Sequence, residues 1–308
     1  MTMNLTRRDF TKAIAVGLGA GALARLQAAG PRKLEIGHTC ITWGTFPRGP
    51  ENKGTLEAAL EDISSLGFWG FETFPQVLGY WDAEGKLNEL IDRYNVPLTS
   101  AYLTVNVTDP ARRKETVAEA TEMSKLVKKY GGRFLVVSAN SVRDMPGYDF
   151  AAHRADIITS LNEYGKAIMD VGLGTGLHQH TGTAVDTEDQ VYAVMEGVDT
   201  RYMKFAPDVG QLQKAGADAA KVVKDFLPIT VHMHLKDWKG WEHHSGYCPV
   251  GQGKVAIEQI LDMVESKNPD ATVMVELDPS DEGPMTPLET AQATKTYLQK
   301  LGFTFRSS

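Results

Sequence analysis

The feature that most constrains the fold is a repeated alternation between short apolar runs and longer segments with helical spacing of apolar residues. The short runs are rich in β-branched residues, which is typical of buried strands, whereas the longer segments are typical of amphipathic helices. Eight strands are predicted, over residues 34–41, 68–73, 97–105, 133–138, 173–179, 203–207, 229–235 and 272–277. Helices are predicted between them, for example over residues 55–66, 112–130, 150–171, 217–226 and 255–266. This alternation predicts an α/β fold built on a parallel sheet.

Eight strand/helix units match a closed (β/α)8 TIM barrel, which typically takes about 250 residues. The alternative is an open, doubly wound sheet, whose nucleotide-binding members carry a glycine-rich turn directly after a strand. No predicted strand is followed by such a turn, because the glycine run at 17–21 precedes the first strand and Gly251 and Gly253 do not open from one. We therefore predict a single TIM barrel over residues 30–308.

Residues 1–29 have the composition of an export signal. Arg7 and Arg8 precede an apolar run at 13–26, which is followed by small residues suited to cleavage. The apolar run is too short and too rich in glycine to be a good membrane span. We expect a twin-arginine signal and a periplasmic or otherwise exported mature protein, with no stable membrane span once the signal is removed.

The charge balance argues against a nucleic-acid partner. The chain has 39 acidic and 32 basic residues, a formal net charge of −7, and the predicted signal contributes mostly basic residues, so the remainder is more acidic still. Proteins that bind nucleic acid usually present a basic face. A small-molecule substrate is expected, and a homo-oligomer is compatible with the sequence. Cys40 and Cys248 are the only cysteines, and two free thiols fit at least as well as a disulfide.

Seven of the eight histidines lie in or just after predicted strands, and in TIM barrels the catalytic groups gather at the carboxyl ends of the strands. His178 and His180 are two residues apart, so both project from one face of the fifth strand. By the same period, His232, His234 and Lys236 share a face of the seventh strand. Polar groups that point into a barrel are costly to bury unpaired, which favours a bound metal ion or a polar substrate.

Two carboxylates, Asp208 and Glu276, stand at the ends of the sixth and eighth predicted strands. A mixed set of imidazole and carboxylate ligands suits Mn, Co, Zn, Fe or Mg, and the sequence does not select among these ions. The alternative is a ring of ion pairs at the barrel rim. Clustered His, Asp and Glu residues more often mark metal or catalytic sites.

Five short runs carry a resemblance to a known family: residues 176–183 (GLHQHTGT), 205–211 (FAPDVGQ), 231–237 (VHMHLKD), 249–254 (PVGQGK) and 273–278 (VMVELD). They resemble the xylose isomerase-like TIM barrels called sugar phosphate isomerase/epimerase, and among these most closely the inosose dehydratases. The first four strands match mainly in pattern, although residues 67–72 (GFWGFE) also resemble the family's second strand.

The resemblance implies one divalent metal ion at the barrel mouth, held by His178, Asp208, His234 and Glu276. The sequence departs from the family pattern twice, because many ketose epimerases have Glu in place of His178 and many relatives have His in place of Gln211. His180 is an alternative ligand to His178, and the sequence leaves this choice open.

The implied activity is that of a metal-dependent isomerase or epimerase, acting on an unphosphorylated keto-sugar or cyclitol through a metal-stabilised enediolate. A lyase or dehydratase of the inosose dehydratase or 3-keto-glycoside type is the alternative, and a non-catalytic periplasmic sugar-binding protein is a further one. Glu276 is the first candidate for the base, His180 for the complementary acid or base, and Lys236 for an electrostatic role on substrate oxygens.

Substrate contacts are predicted for six residues near strand ends, which are His38, Trp43, Glu72, Tyr102, Gln211 and Trp238. The aromatic residues among them offer flat apolar faces on which a sugar ring could stack. Structural roles remain equal alternatives for three candidates: His38 as a core hydrogen-bonding residue, Glu72 in a rim ion pair, and Lys236 as a partner of Asp237. The loop at 238–253 is long for a strand-to-helix connection and is predicted to form a lid.

Overall fold

A computed structural model describes residues 32–52 and 54–307, so the predicted export signal lies outside the described residues. The centre of the fold is a sheet of eight parallel strands. These strands are β1 (Ile36–Thr39), β2 (Phe71–Thr73), β3 (Leu98–Val105), β4 (Phe134–Ala139), β5 (Gly174–His178), β6 (Lys204–Phe205), β7 (His232–Leu235) and β10 (Thr272–Val275). Their order in the sheet is β6-β5-β4-β3-β2-β1-β10-β7. Single parallel bridges, Phe205 with Thr230 and Asp208 with His234, join the β6 and β7 sides. The predicted TIM barrel is confirmed.

Helices connect the strands on the outside of the sheet. They are α1 (Gly54–Leu66), α2 (Pro75–Ala83), α3 (Leu87–Tyr94), α4 (Arg113–Lys129), α5 (Phe150–Val171), α6 (Glu188–Met195), α7 (Val209–Lys214), α8 (Ala219–Asp225), α9 (Ile257–Lys267) and α10 (Pro287–Lys300). Each longer helix buries one apolar stripe, as α1 does with Leu56, Leu60 and Ile63. None of the helices in the described part of the chain is both long enough and apolar enough to cross a membrane.

The loop after β7 contains structure that the sequence did not indicate. Two short antiparallel strands, β8 (Asp237–Trp238) and β9 (Tyr247–Cys248), form a hairpin within it. The Asp237 carboxylate accepts hydrogen bonds of 2.8–3.1 Å from four backbone N–H groups, those of Trp238, Gly251, Gly253 and Val255. Asp237 therefore fastens both ends of the loop. The alternative that pairs Lys236 with Asp237 is wrong, because the Lys236 ammonium group contacts Glu276 and Asp278 instead.

Both cysteines are buried and unpaired. Cys40 follows β1 and packs in the main core, whereas Cys248 lies in the loop hairpin. The two thiols therefore match the free-thiol expectation.

Candidate active site

The carboxyl ends of four barrel strands bring the four predicted metal ligands together. His178 ends β5, His234 lies in β7, and Asp208 and Glu276 follow β6 and β10. All four side chains are buried. Nitrogen or oxygen atoms of His178, Asp208 and His234 all lie within 4.8 Å of one another, and Glu276 Oε2 is 2.9 Å from His234 Nδ1.

Each member of the trio formed by His178, Asp208 and His234 has one anchored atom and one free atom. Nδ1 of His178 donates to the Ala206 carbonyl at 3.2 Å, Asp208 Oδ1 accepts from the Gln211 backbone N–H at 2.8 Å, and Nε2 of His234 donates to Glu72 at 2.7 Å.

The opposite atoms, His178 Nε2, Asp208 Oδ2 and His234 Nδ1, are buried without a well-aligned hydrogen bond among the described residues. His234 Nδ1 does have an ion-pair neighbour, Glu276 Oε2 at 2.9 Å, and Asp208 Oδ2 lies 3.8 Å from Lys236 Nζ. Buried polar atoms are rarely left unpaired. Metal ligands are typically held in this way, with the outer atom fixed by a hydrogen bond and the inner atom directed at the ion. Ligand distances of about 2.0–2.2 Å would place neighbouring ligand atoms roughly 3 to 3.5 Å apart. The structure has 2.9 Å between His234 Nδ1 and Glu276 Oε2 and 4.0 Å between His178 Nε2 and Asp208 Oδ2, so the ion would draw the latter pair together. The trio and Glu276 therefore fit a divalent ion.

Electrostatics keep His178, Asp208 and Glu276 in states that can bind a cation. Burial would lower the pKa of His234, but Glu72 and Glu276 outweigh it and raise that pKa well above its usual value, so an ion must displace a proton from this ring. Burial, followed by the charge of His234, holds the pKa of His178 well below its usual value, so its ring is neutral. Burial raises the pKa of Asp208 to about 6, against the attraction of Lys236. Burial alone would raise the pKa of Glu276, but Lys236 and His234 outweigh it and hold that pKa well below its usual range. Glu276 is therefore ionised.

Glu72 holds the His234 ring in place through a hydrogen bond to Nε2. Its Oε1 accepts from His234 Nε2 at 2.7 Å, while its Oε2 accepts from Ser100 Oγ at 2.6 Å and lies 3.2 Å from His232 Nε2. The residue is only 1% exposed, so a rim ion pair is excluded. In this geometry Glu72 orients His234, and the residue also lines the cavity, so its substrate contact stays a prediction. His232 and Ser100 complete the network, and the sequence did not indicate Ser100.

His180 differs from His178 in that both of its ring nitrogens already have partners. Nδ1 donates to the Thr181 carbonyl at 3.0 Å, and Nε2 is 2.7 Å from the Gln211 side-chain nitrogen, which can only donate. The Gln211 amide is itself oriented, because its oxygen accepts from the backbone N–H and the hydroxyl of Thr181. His180 is thus held as a neutral imidazole with its lone pair on Nε2.

Lys236 is a fully buried cation surrounded by carboxylates. Its Nζ lies 2.8 Å from Glu276 Oε1, 2.5 Å from Asp278 Oδ1 and 3.8 Å from Asp208 Oδ2. Burial would lower the pKa of Lys236, but these carboxylates outweigh it and raise the pKa well above its usual value. The loop hairpin covers the ammonium group, which lies 4.2 Å from the centre of the Tyr247 ring. Lys236 therefore stays charged and fixes Glu276 and Asp278.

A small cavity of about 70 Å³ lies beside these groups. It is lined by Thr39, Ile41, Glu72, Thr73, Phe74, Tyr102, His180, Glu276 and Asp278. Four of these, Glu72, Tyr102, His180 and Glu276, were sequence candidates. The sequence did not indicate the other five, Thr39, Ile41, Thr73, Phe74 and Asp278. Each stands at or within three residues of a strand's carboxyl end, which is the signal that could have identified them.

The other predicted substrate contacts do not line this cavity. His38 is buried, places Nδ1 2.9 Å from the Thr39 carbonyl and packs edge-on against Trp43. The Trp43 indole donates to Asp62 on α1 at 2.7 Å. Gln211 lies behind His180, and Trp238 belongs to the loop hairpin. For His38, the structure matches the alternative of a hydrogen-bonded core residue.

The fold and the buried site agree with what sequence comparison finds. A model of the xylose isomerase-like TIM barrel family matches residues 60–301. The chain therefore belongs to that family. Among its relatives, the inosose dehydratase of Lactiplantibacillus plantarum is 23% identical over 295 residues, which cover 84% of this chain and 96% of the relative.

Solved structures repeat the fold at lower identity. The E. coli 3-keto-D-glucoside 4-epimerase YcjR superposes with a TM-score of 0.64 at 18% identity, covering 87% of this chain and 99% of that one. A structure of the IOLI protein with a bound zinc atom gives a TM-score of 0.69 at 15% identity, covering 89% and 100%. Relatives in this family are thus named as enzymes, which confirms the expected enzyme class at the level of the superfamily.

Proposed function

We propose that the protein is a divalent-metal-dependent enzyme that moves a proton beside the carbonyl of an unphosphorylated keto-sugar or cyclitol, and so acts as an isomerase or epimerase. The observation that carries this proposal is the group of three buried ligand atoms that lack a well-aligned hydrogen bond, next to a cavity lined by a neutral imidazole. A divalent ion held by His178, Asp208, His234 and Glu276 would supply positive charge to the substrate oxygens when the neighbouring carbon loses its proton.

His180 is the residue best placed to take that proton, on Nε2, once the Gln211 amide that donates to this atom moves away. Its ring lines the cavity, and burial, followed by the charge of Lys236, lowers its pKa, so the imidazole is neutral near pH 7. Glu276 was the first candidate from sequence. Lys236 and His234 hold its pKa so low that it is a weak base. We therefore assign proton transfer to His180 and ion binding to Glu276, with Lys236 fixing the Glu276 carboxylate.

The use of His180 as a single base favours isomerisation over epimerisation. Inversion at one carbon needs a second group on the opposite face, whereas isomerisation can use one base that returns the proton to the neighbouring carbon on the same face. Of the described residues that line the cavity, His180 is the one imidazole. Elimination of an oxygen substituent on that same face can also use one residue. That residue first removes the proton as a base and then, as an acid, gives it to the departing oxygen. A lyase is therefore the second candidate, and His178 in place of the glutamate of many epimerases favours it further.

The cavity favours an uncharged substrate. Three carboxylates line it, and none of the described lining residues is Lys or Arg. Phosphate groups are usually bound by Arg or Lys side chains or by helix N-termini. The nearby cation, Lys236, is already paired with Glu276 and Asp278. Cyclitol and 3-keto-glucoside substrates, which the names of the relatives indicate, carry no such charge.

The test is proton NMR in deuterated water, with metal-loaded protein and a panel of keto-inositols and 3-keto-glucosides. Deuterium should enter beside the carbonyl, and the product then identifies the branch: a rearranged or inverted sugar for the isomerase or epimerase, and loss of water or aglycone for the lyase. A chelated sample should be inactive. Glu258→Gln, on the exposed face of α9, serves as a matched control for Glu276→Gln. Absence of exchange with every substrate would overturn the proposal.

We also propose that residues 1–29 direct export by the twin-arginine route, on the basis of Arg7, Arg8 and the apolar run that follows. Replacement of both arginines by lysine should leave the protein in the cytoplasmic fraction of an expressing cell. Unchanged fractionation would contradict this proposal.

A further inference from the structure

An aromatic wall formed by Tyr102, Phe74 and Phe46 begins at the cavity, which Tyr102 and Phe74 line, and continues outside it to Phe46. Tyr102 lies in β3, Phe74 directly follows β2, and Phe46 lies in the loop after β1. Because these three strands are neighbours in the sheet, their aromatic side chains rise along one side of the barrel mouth. All three rings are partly exposed.

The wall starts at the candidate metal ligands and leads away from them. The Tyr102 ring is 5.3 Å from the His178 ring, edge-on, and 6.1 Å from the His234 ring, stacked. Phe74 meets Tyr102 at 5.6 Å, and Phe46 meets Phe74 at 6.3 Å. These are the spacings of aromatic pairs in contact, so the three rings form a continuous surface.

The opposite side of the cavity is polar, with His180, Glu276 and Asp278. A ligand that fills the space needs one apolar face and one face of hydroxyl or carbonyl oxygens, and sugar rings have both. The ring that reacts must lie at the metal end, beside Tyr102 and His180. Phe74 and Phe46 extend the apolar surface by two further ring contacts, and the second of these lies outside the cavity lining.

We propose that Phe74 and Phe46 form a subsite for a second ring, so that the substrate is a keto-sugar joined through a glycosidic oxygen to another sugar or an aryl group. This inference rests on the proposed function for the reacting ring, and names the substrate class of that same site. Partly exposed aromatic rings at the cavity edge gain contacts when such a ring covers them.

The test is equilibrium binding of two ligands that cannot react because they lack the keto group, glucose and phenyl β-D-glucoside. The wild-type protein should bind the phenyl glucoside more tightly. Phe74→Leu, which keeps an apolar side chain, should reduce that preference by roughly 3- to 10-fold, and Phe46→Leu should reduce it less. Phe150→Leu, at the start of α5 and away from the wall, is the matched control and should leave the preference unchanged.

Two results would overturn the subsite: equal binding of glucose and phenyl glucoside to the wild type, or an unchanged preference in Phe74→Leu. Because these ligands do not react, the outcome is independent of the deuterium-exchange experiment. A preference that depends on Phe74, together with no exchange in any keto-sugar, would contradict the proposed reaction and leave the subsite standing.

Discussion

The two sides of the barrel mouth differ in the kind of residue they contribute. Strands β5, β6, β7 and β10 place His178, Asp208, His234 and Glu276 at the site, and each offers an atom suited to hold an ion. Strands β1 to β3 contribute the aromatic wall and, below it, the supporting pair Glu72 and Ser100.

This difference suggests that chemistry and recognition are divided between the two sides. Substitutions on the β5-to-β10 side should abolish turnover. Those on the β1-to-β3 side should weaken ion binding or change substrate preference. Single substitutions can test each side. The loss of turnover or metal affinity should be largest for residues that contact the ion and smaller for residues that act on it through a neighbour.

The largest effect is expected for His178→Ala. Loss of this ligand should remove most of the bound ion and lower turnover by about 10³-fold or more, since a bound metal contributes several kcal/mol of charge stabilisation.

His180→Ala should keep the ion and lose about 10²- to 10⁴-fold in turnover, as expected for a proton carrier. Metal content by mass spectrometry and the deuterium-exchange rate distinguish the two. If His180→Ala lost the ion while His178→Ala retained it, the assigned roles would be reversed.

A smaller effect is expected for Glu72→Gln. The amide removes the negative charge that orients and polarises His234, and loss of such outer partners typically costs about 10- to 100-fold in metal affinity. Competition with a metal chelator measures this change, with Glu258→Gln as control. Unchanged metal affinity together with a raised KM would instead support the substrate contact that the sequence predicted for Glu72.

The smallest effect is expected for Ser100→Ala, which removes the hydroxyl that donates to Glu72 Oε2 at 2.6 Å. One hydrogen bond typically contributes about 0.5–1.5 kcal/mol, so metal affinity should fall by about tenfold or less. The same chelator competition applies. A loss greater than that of Glu72→Gln would show that Ser100 acts on the site independently of Glu72.

The candidate site was predictable where its residues share a strand or an ordered motif. The two-residue period already placed His232, His234 and Lys236 on one face of β7, and the structure buries all three. The period could not reveal which residue each side chain meets. Spacing along the chain offers Asp237 as the partner of Lys236, whereas the Lys236 ammonium group contacts Glu276 and Asp278, which follow β10. Asp237 instead faces the backbone of its own loop.

By itself, the sequence determined the barrel and the identity of the polar residues at its mouth, because strand and helix periodicity are local properties of the chain. Only the tertiary structure decided how His178 and His180 differ, since the difference depends on Ala206 for one ring and on Gln211 for the other. It also decided that Glu72 supports His234, and that Phe46, Phe74 and Tyr102 form one wall. These arrangements join residues from different strands, and their distances are set by closure of the sheet rather than by spacing along the chain.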